Sequence, residues 1–382
     1  MTFSIYLPTK IIYNWPVVAA LPAVLAELHA SRVLLVHDPV VGQLGWVERI
    51  GVRLRGAGCR LSCFSDVSSN PTAGEVAAGL DVARSQAAEA VVALGGGSVL
   101  DVAKAIAMLV ANGSSYADYL LDGRSIVQRS LPVVAVPTTA GSGSEVSKAT
   151  AIVVPGSPAR QWLASPLMYP TLALLDPELT RSLPAFSTAA TGIHALAHAL
   201  EAYLGRQANL FTDQLAVTAL QAAWMFLPRA VADGNDIAAR QGMLLAALWA
   251  GIATDQAGLG LVHALSGPLT THLHCHEGVA NALVLPHALR LNLPAVPAAR
   301  RQRLNRLFGL PAEADGEALS GRLSQFVTYL QLPTRLKELG MPPEGFDWAA
   351  LAAEAMRMNS IANNVYPVTA NECQGILDQA RG

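Results

Sequence analysis

The chain has 382 residues, 52 % of them hydrophobic and 14 % charged, with a formal net charge of −2. That length exceeds one ordinary core and predicts two domains, and the composition excludes intrinsic disorder. With 26 basic against 28 acidic residues and no run of Lys and Arg, nothing tracks a phosphate backbone, so nucleic acid is not an expected partner.

The opening "MTFSIYLPTK" lacks a basic segment followed by an apolar one, so no secretory signal is expected. "RVLLVHD" at 32–38 reads as a strand, followed by a helix through "GWVERIGVRLRGAG". "AEAVVALGGGS" is a strand running into a glycine turn, and "VLDVAKAIAMLVANG" is the helix after it. "PVVAVPTT" and "TLALLDP" are further strands. This rhythm predicts a parallel sheet with helices on both faces.

Near residue 184, after "RSLPAF", the β-rich runs stop. "FTDQLAVTALQAAWMFLPRAV", "ARQGMLLAALWAGIA", "GEALSGRLSQFVTYLQL" and "DWAALAAEAMRM" space their apolar residues as helices do. The expected organisation is an α/β domain over 1–183 and an all-helical domain over 184–382. The longest charge-free span, Gln256 to His276, includes four histidines and Pro268 and is expected to be buried interior, not a membrane span. Cys59, Cys63, Cys275 and Cys373 show no CxxC spacing. They are expected to be reduced, small buried residues of a cytoplasmic protein.

Gly95, Gly96 and Gly97 stand between a strand and a helix, where backbone N–H groups approach a ligand closely and a helix N-terminus favours phosphate. Ser98 is the expected N-cap, with Asp101 completing a capping box. The fingerprint GxGxxG is absent: "GLGLVH" at 258–263 has His263 in place of the third glycine, so a standard Rossmann domain is not expected. In "PTTAGSGSEVS", Thr138, Thr139 and Ser142 suit hydrogen bonds to phosphate or ribose. Asp38 ends the first strong strand, where it accepts from a ribose diol and repels a 2′-phosphate, favouring NAD over NADP.

"TGIHALAHALEAY" puts His194 and His198 four apart, on one helical face. Alone, the pair reads equally well as two structural histidines. The segment "GLGLVHALSGPLTTHLHCHEGVANALVLPH" adds His263, His272, His274, His276, Glu277 and His287 in an apolar setting. Imidazoles there are costly to desolvate without a partner, and a shared divalent cation is the simplest one.

These stretches, with "SPLMYPTLALLDPELTRSLP", resemble the iron-containing, group III, alcohol dehydrogenase family from about residue 4 to the C-terminus. The resemblance implies a dehydroquinate synthase-like fold: an NAD(P)-binding α/β domain, a helical metal-binding domain, an active site in the cleft between them, and a homodimer. Its ligands are commonly one aspartate and three histidines. The aspartate position is His194 here, His198 keeps its identity, the third falls on His263, and the fourth, usually His, is Glu277. Ligand number and formal charge are preserved with two positions exchanged, which implies a working site for Fe²⁺ or Zn²⁺. His276 is the alternative fourth ligand.

Many members carry a later histidine in "V-H-x-x-x-H-P-L", where this chain has Gly267. His272, His274 or His276 is the candidate replacement in proton transfer; His272 and His276 lie one turn apart if that segment is helical, and the expected catalytic residues are His263, His272 and His276. "NNVYPVT" also departs from the usual "NPRxxT". The resemblance places Lys148, Ala149, Arg160 and Thr254 around the pocket, where smaller and more polar residues imply a small polar alcohol or aldehyde; Lys148 and Arg160 read equally well as solvated surface charges. The expectation is a metal- and NAD-dependent alcohol dehydrogenase or aldehyde reductase. Its rivals are a metal-independent reductase similar to maleylacetate reductase and a non-catalytic nucleotide binder. A dehydroquinate synthase-type lyase needs many cations for its substrate, and the chain has only four lysines.

Overall fold

A computed structural model describes residues 2–14, 16–157, 160–340 and 346–382. The chain divides into two compact units. An α/β unit holds Tyr6–Thr139 and Gly143–Arg181, and a helical unit holds Ser182–Gly382 with a short N-terminal piece and Ala140–Ser142.

The α/β unit contains strands β1 (Lys10–Tyr13), β2 (Arg32–His37), β3 (Arg60–Phe64), β4 (Ala90–Gly95), β5 (Val133–Pro137), β6 (Ala149–Val153), β7 (Arg160–Ala164) and β8 (Leu172–Leu175). Six of them form one sheet in the order β1-β8-β5-β4-β2-β3, parallel throughout. Its helices are α1 (Val17–Glu27), α2 (Pro39–Gln43), α3 (Trp46–Gly56), α4 (Ala73–Ser85), α5 (Gly97–Asn112) and α6 (Tyr116–Leu121). Successive strand residues point to opposite faces, and both faces here are apolar. Leu34, Val36, Val91 and Ala93 join a core with α4, α5 and α6, while Val33, Leu35, Val92 and Leu94 join another with α1 and α3. The sheet is therefore covered on both sides. An antiparallel ribbon of β6 and β7, not anticipated from the sequence, is separate from it.

The helical unit consists of α7 (Ala185–Leu204), α8 (Leu210–Ala232), α9 (Ile237–Ala257), α10 (Leu261–Leu273), α11 (Glu277–Asn292), α12 (Ala298–Leu307), α13 (Gly316–Tyr329), α14 (Trp348–Ala355) and α15 (Ala370–Arg381). From Thr188 to Leu204 every residue of α7 is buried, as befits an apolar helix surrounded by others. By length and composition α8 and α9 could each cross a membrane, but both bury one face in this core.

Two expectations need correction. The span ending at His276 is buried only as far as Thr270, and His272, His274 and His276 are exposed. The cause is local: α10 stops at Leu273, and His274 takes a left-handed φ of 49°. Of the four cysteines, all free, only Cys373 is buried, and Cys63 is exposed on β3.

Candidate metal centre and nucleotide loops

His194 and His198 lie one turn apart on α7, with their Nε2 atoms 3.1 Å apart. His263, in the first turn of α10, completes the group: its ring centroid is 5.4 Å from that of His194 and 4.6 Å from that of His198. One donor atom from each of the three lies within 4.8 Å of the other two, and all three residues are buried.

A residue that sequence reasoning missed fixes this geometry. Glu201, one turn past His198 and itself buried, accepts the His263 Nδ1–H at 2.6 Å through Oε2 and the Val262 N–H at 2.5 Å through Oε1. That bond places the proton on Nδ1 and turns the Nε2 lone pair of His263 away, where it is buried without a partner among the described residues. The signal was visible: Glu201 is the only charged residue in "TGIHALAHALEAY".

Burial holds the His198 pKa well below its ordinary value, helped by the charges of His194 and His263 and opposed by Glu277. Burial also pushes His263 down, but the charge and hydrogen bond of Glu201, with Glu277, outweigh it and leave His263 raised. A neutral imidazole, an orphaned buried Nε2 and a carboxylate behind it are what a borderline divalent cation requires of its ligands. The residues present fit such an ion.

Glu277 opens α11 close enough for its charge to act on His198 and His263, although its carboxylate is not in the 4.8 Å group. The next residue shows what brings it there. A Cβ on Gly278 would fall 1.9 Å from the Ala190 carbonyl oxygen, so α11 meets α7 backbone to backbone, one turn before His194. His276 is exposed and caps α11, its Nδ1 accepting the Gly278 N–H at 3.0 Å. His272 pairs through Nε2 with Glu354 at 2.8 Å and meets the Phe346 ring edge-on. The single helical face expected for His272 and His276 does not exist, because α10 ends at Leu273 and His274 is left-handed, and neither joins the cluster. His287, half-buried on α11, is also outside it.

The "NNVYPVT" stretch supports the centre from behind. Asn363 donates to the carbonyls of Ala257 and Leu259, at 2.8 and 2.9 Å. Asn364 accepts the Leu261 N–H at 3.2 Å and exchanges amide bonds with Asn292. In "GLGLVH", a Cβ on Gly258 would approach the Asn363 amide to 2.9 Å, and one on Gly260 would approach the Asn364 amide to 3.0 Å. These glycines admit side-chain amides, not a nucleotide.

At the pocket positions, Thr254 donates to the carbonyls of Ala250 and His198, which puts it behind His198. Lys148 lies over the Tyr169 ring at 5.9 Å, and Ala149 begins β6. Arg160 is a structural link, not a solvated charge, bonding Asn70 and the Ser69 carbonyl at 2.7 Å each. Beside Gly267 an added Cβ would meet only Met358, at 3.4 Å.

In the α/β unit the register aligns the other predicted residues. His37 pairs with Leu94 and Gly95 with Pro137, so Asp38, Gly96 and Thr138 follow the carboxyl ends of three adjacent strands. The strand order reverses between β2 and β4, and open α/β sheets bind ligands at such a switch point. The Thr138 N–H donates to the Gly95 carbonyl at 3.0 Å, and a Cβ on Gly96 would come within 3.3 Å of Thr139. Gly97 begins α5. Asp38 spends one carboxylate oxygen capping α2 through the Val41 N–H. Ser142 belongs to the helical unit. The expected cap on α5 is wrong: Gly96 is the N-cap, without a side-chain bond, and Ser98 donates to the Ser69 carbonyl. Asp101 bonds Ser144 and Ala151.

A doubly covered parallel sheet with a backbone loop at its switch point suits a dinucleotide, and the buried histidine cluster of the helical unit suits a divalent cation, the two parts of a metal-dependent, nucleotide-linked oxidoreductase. Residues 8–177 match the family described as iron-containing alcohol dehydrogenase, and residues 188–381 match its C-terminal region, described as Fe-containing alcohol dehydrogenase family, C-terminal. The chain belongs to the iron-containing alcohol dehydrogenase family, enzymes that oxidise alcohol CH–OH groups. It is 36 % identical to the probable alcohol dehydrogenase EutG of Salmonella typhimurium, over 91 % of this chain and 86 % of that one. It is 33 % identical to the NAD-dependent methanol dehydrogenase of Bacillus methanolicus, over 93 % and 94 %. The solved structure of a 1,3-propanediol oxidoreductase superposes with a TM-score of 0.92 at 30 % identity, covering 100 % of both chains.

Proposed function

We propose that this chain is an NAD-dependent alcohol dehydrogenase or aldehyde reductase for small, polar substrates, with His194, His198, His263 and Glu277 holding Fe²⁺ or Zn²⁺. The observation that carries the reading is the buried His263 Nε2, oriented by Glu201 and left without a partner among the described residues. Relatives named for methanol and 1,3-propanediol support a small alcohol. Free cysteines support a cytoplasmic enzyme, and the homodimer follows from the resemblance.

When bound, the cation supplies Lewis acidity at the substrate oxygen. The rest of the chemistry belongs to the chain. Glu201 keeps the His263 proton on Nδ1 through the reaction. The buried helices around α7 exclude water from the histidines, which strengthens every charge interaction there. Gly95, Gly96, Gly97, Thr138 and Thr139 hold the nucleotide phosphates by backbone N–H groups and hydroxyls, and Asp38 accepts from the ribose diol. The alcohol carbon gives a hydride to the nicotinamide and the hydroxyl gives a proton, yielding aldehyde, NADH and H⁺. Asp38 makes NADP the poorer cofactor.

Metal analysis of protein purified without chelators tests this. We expect about one equivalent per chain, and activity lost to EDTA and restored by Fe²⁺ or Zn²⁺. Less than about 0.2 equivalents with full activity in EDTA overturns it in favour of the metal-free reductase. In the same assay Glu277→Gln lowers metal occupancy and His276→Ala leaves it unchanged.

A further inference from the structure

Lys104 is 1 % exposed, deep in the α/β unit, on the same helix whose first residue closes the glycine turn. Its ammonium donates to the carbonyls of Ser144, at 3.1 Å, of Ser147, at 3.4 Å, and of Ala149. It also lies 3.3 Å from Asp101 Oδ1. Asp101 in turn accepts the Ser144 hydroxyl at 2.5 Å and the Ala151 N–H at 3.0 Å.

The three carbonyls that Lys104 bonds and both groups that Asp101 accepts from lie on one stretch, Ser144 to Ala151, just downstream of Thr138 and Thr139. Before β6 its only regular structure is a single 3-10 turn, Ser144–Val146. Burying a lysine is costly unless it is fully paired, and three carbonyls and a carboxylate pair this one. Glu145, 2 % exposed, sits in the same stretch, and the Lys104 charge acts on it. One rigid helix thus carries the glycine turn at its N-terminus and a charged clamp one and two turns further in. The clamp holds the chain that follows the second polar loop.

We propose that Lys104, braced by Asp101, is a positioning residue for the dinucleotide: it fixes the polar loop after β5 in register with the glycine loop after β4. The assignment rests on reading Gly95–Gly97 and Thr138–Thr139 as the nucleotide loops. Nucleotide affinity depends on the clamp, and chemistry at the histidine cluster does not.

The experiment compares Lys104→Met with Gly96→Val and Ser144→Ala, reading NADH affinity by fluorescence, KM for NAD, kcat at saturating nucleotide, metal content and Tm. Lys104→Met is expected to raise the NADH Kd and the NAD KM at least about tenfold, with kcat within about threefold and metal content unchanged. Ser144→Ala, which removes one bond to Asp101, moves the same quantities about two- to fivefold and decides the matter if Lys104→Met does not fold. A purely structural lysine lowers Tm while Kd and KM, measured well below Tm, stay at wild-type values. That result overturns the proposal, as does a fall in kcat at unchanged KM. If Gly96→Val also leaves NADH affinity unchanged, the loop assignment itself has failed. If Gly96→Val weakens binding and the clamp variants do not, only the positioning role is lost.

Discussion

The loops proposed to bind the nucleotide, in the α/β unit, and the histidine cluster of the helical unit use different parts of the polypeptide. The loops present backbone groups at the ends of adjacent strands, in a register set by main-chain hydrogen bonds between β2, β4 and β5. Their side chains matter chiefly by being small, as the 3.3 Å approach of a Gly96 Cβ to Thr139 shows. The histidine cluster is made of side chains from α7 and α10, and it depends on an equally specific set of supports in Glu201, Asn363 and Asn364. A backbone site is preserved as long as the fold is. A side-chain site can exchange one donor type for another provided charge and number are kept, which is what the proposed ligand set with His194 and Glu277 requires.

The comparison predicts that the two sites fail independently. His263→Ala is the severest test: kcat/KM should fall at least about a thousandfold and bound metal should be lost, with NADH affinity within a few-fold of wild type. A parallel loss of NADH affinity would break the separation. Glu201→Gln sharpens it, since the amide no longer fixes the Nδ1 proton. Metal affinity should fall about 10- to 100-fold and the Tm gain on adding metal should shrink, again with NADH affinity unchanged. Unaltered metal affinity in this variant would reduce Glu201 to a packing residue.

The smallest effect lies in the α/β unit. Burial pushes the Glu145 carboxyl up to about 7, and the Lys104 charge offsets this only in part. A carboxyl whose pKa is raised by folding stabilises the fold when protonated. That contribution is complete below the unfolded value, near 4.5, and is lost as pH rises toward 7. Glu145→Gln should therefore be more stable than wild type at pH 8, by on the order of 2–3 kcal/mol and visible as a higher Tm, and lose that advantage at pH 4.5. Parallel Tm curves for the two proteins across this range would refute the sign.

Legibility in the sequence follows the same division. β2, β4, β5 and β8 announced themselves because strands buried on both faces read as unbroken runs of Val, Leu and Ala. β6 and β7 did not, since "ATAIV" and "RQWLA" mix polar and apolar residues around a Pro-Gly turn. The cap on α5 was misread because a polar side chain was expected where a glycine backbone suffices. At the cluster, helical spacing found His194 and His198, but only the resemblance singled out His263 among five later histidines. Glu201 escaped notice because one acid on a helix ordinarily marks its wet side, and nothing local says that a histidine on a distant helix will claim it. His272 and His276 were misplaced because residues on either side of His274 keep a helical pattern, while the left-handed turn between them leaves no mark on composition.

Asn363 and Asn364 carry a consequence for how the protein matures in the cell. The segment leading into α10 is held by amides encoded about a hundred residues after it. During synthesis α7 and α10 emerge and pair well before those amides exist. A chain that stops short of Asn363 is thus expected to carry every imidazole while the approach to His263 still lacks its amide supports.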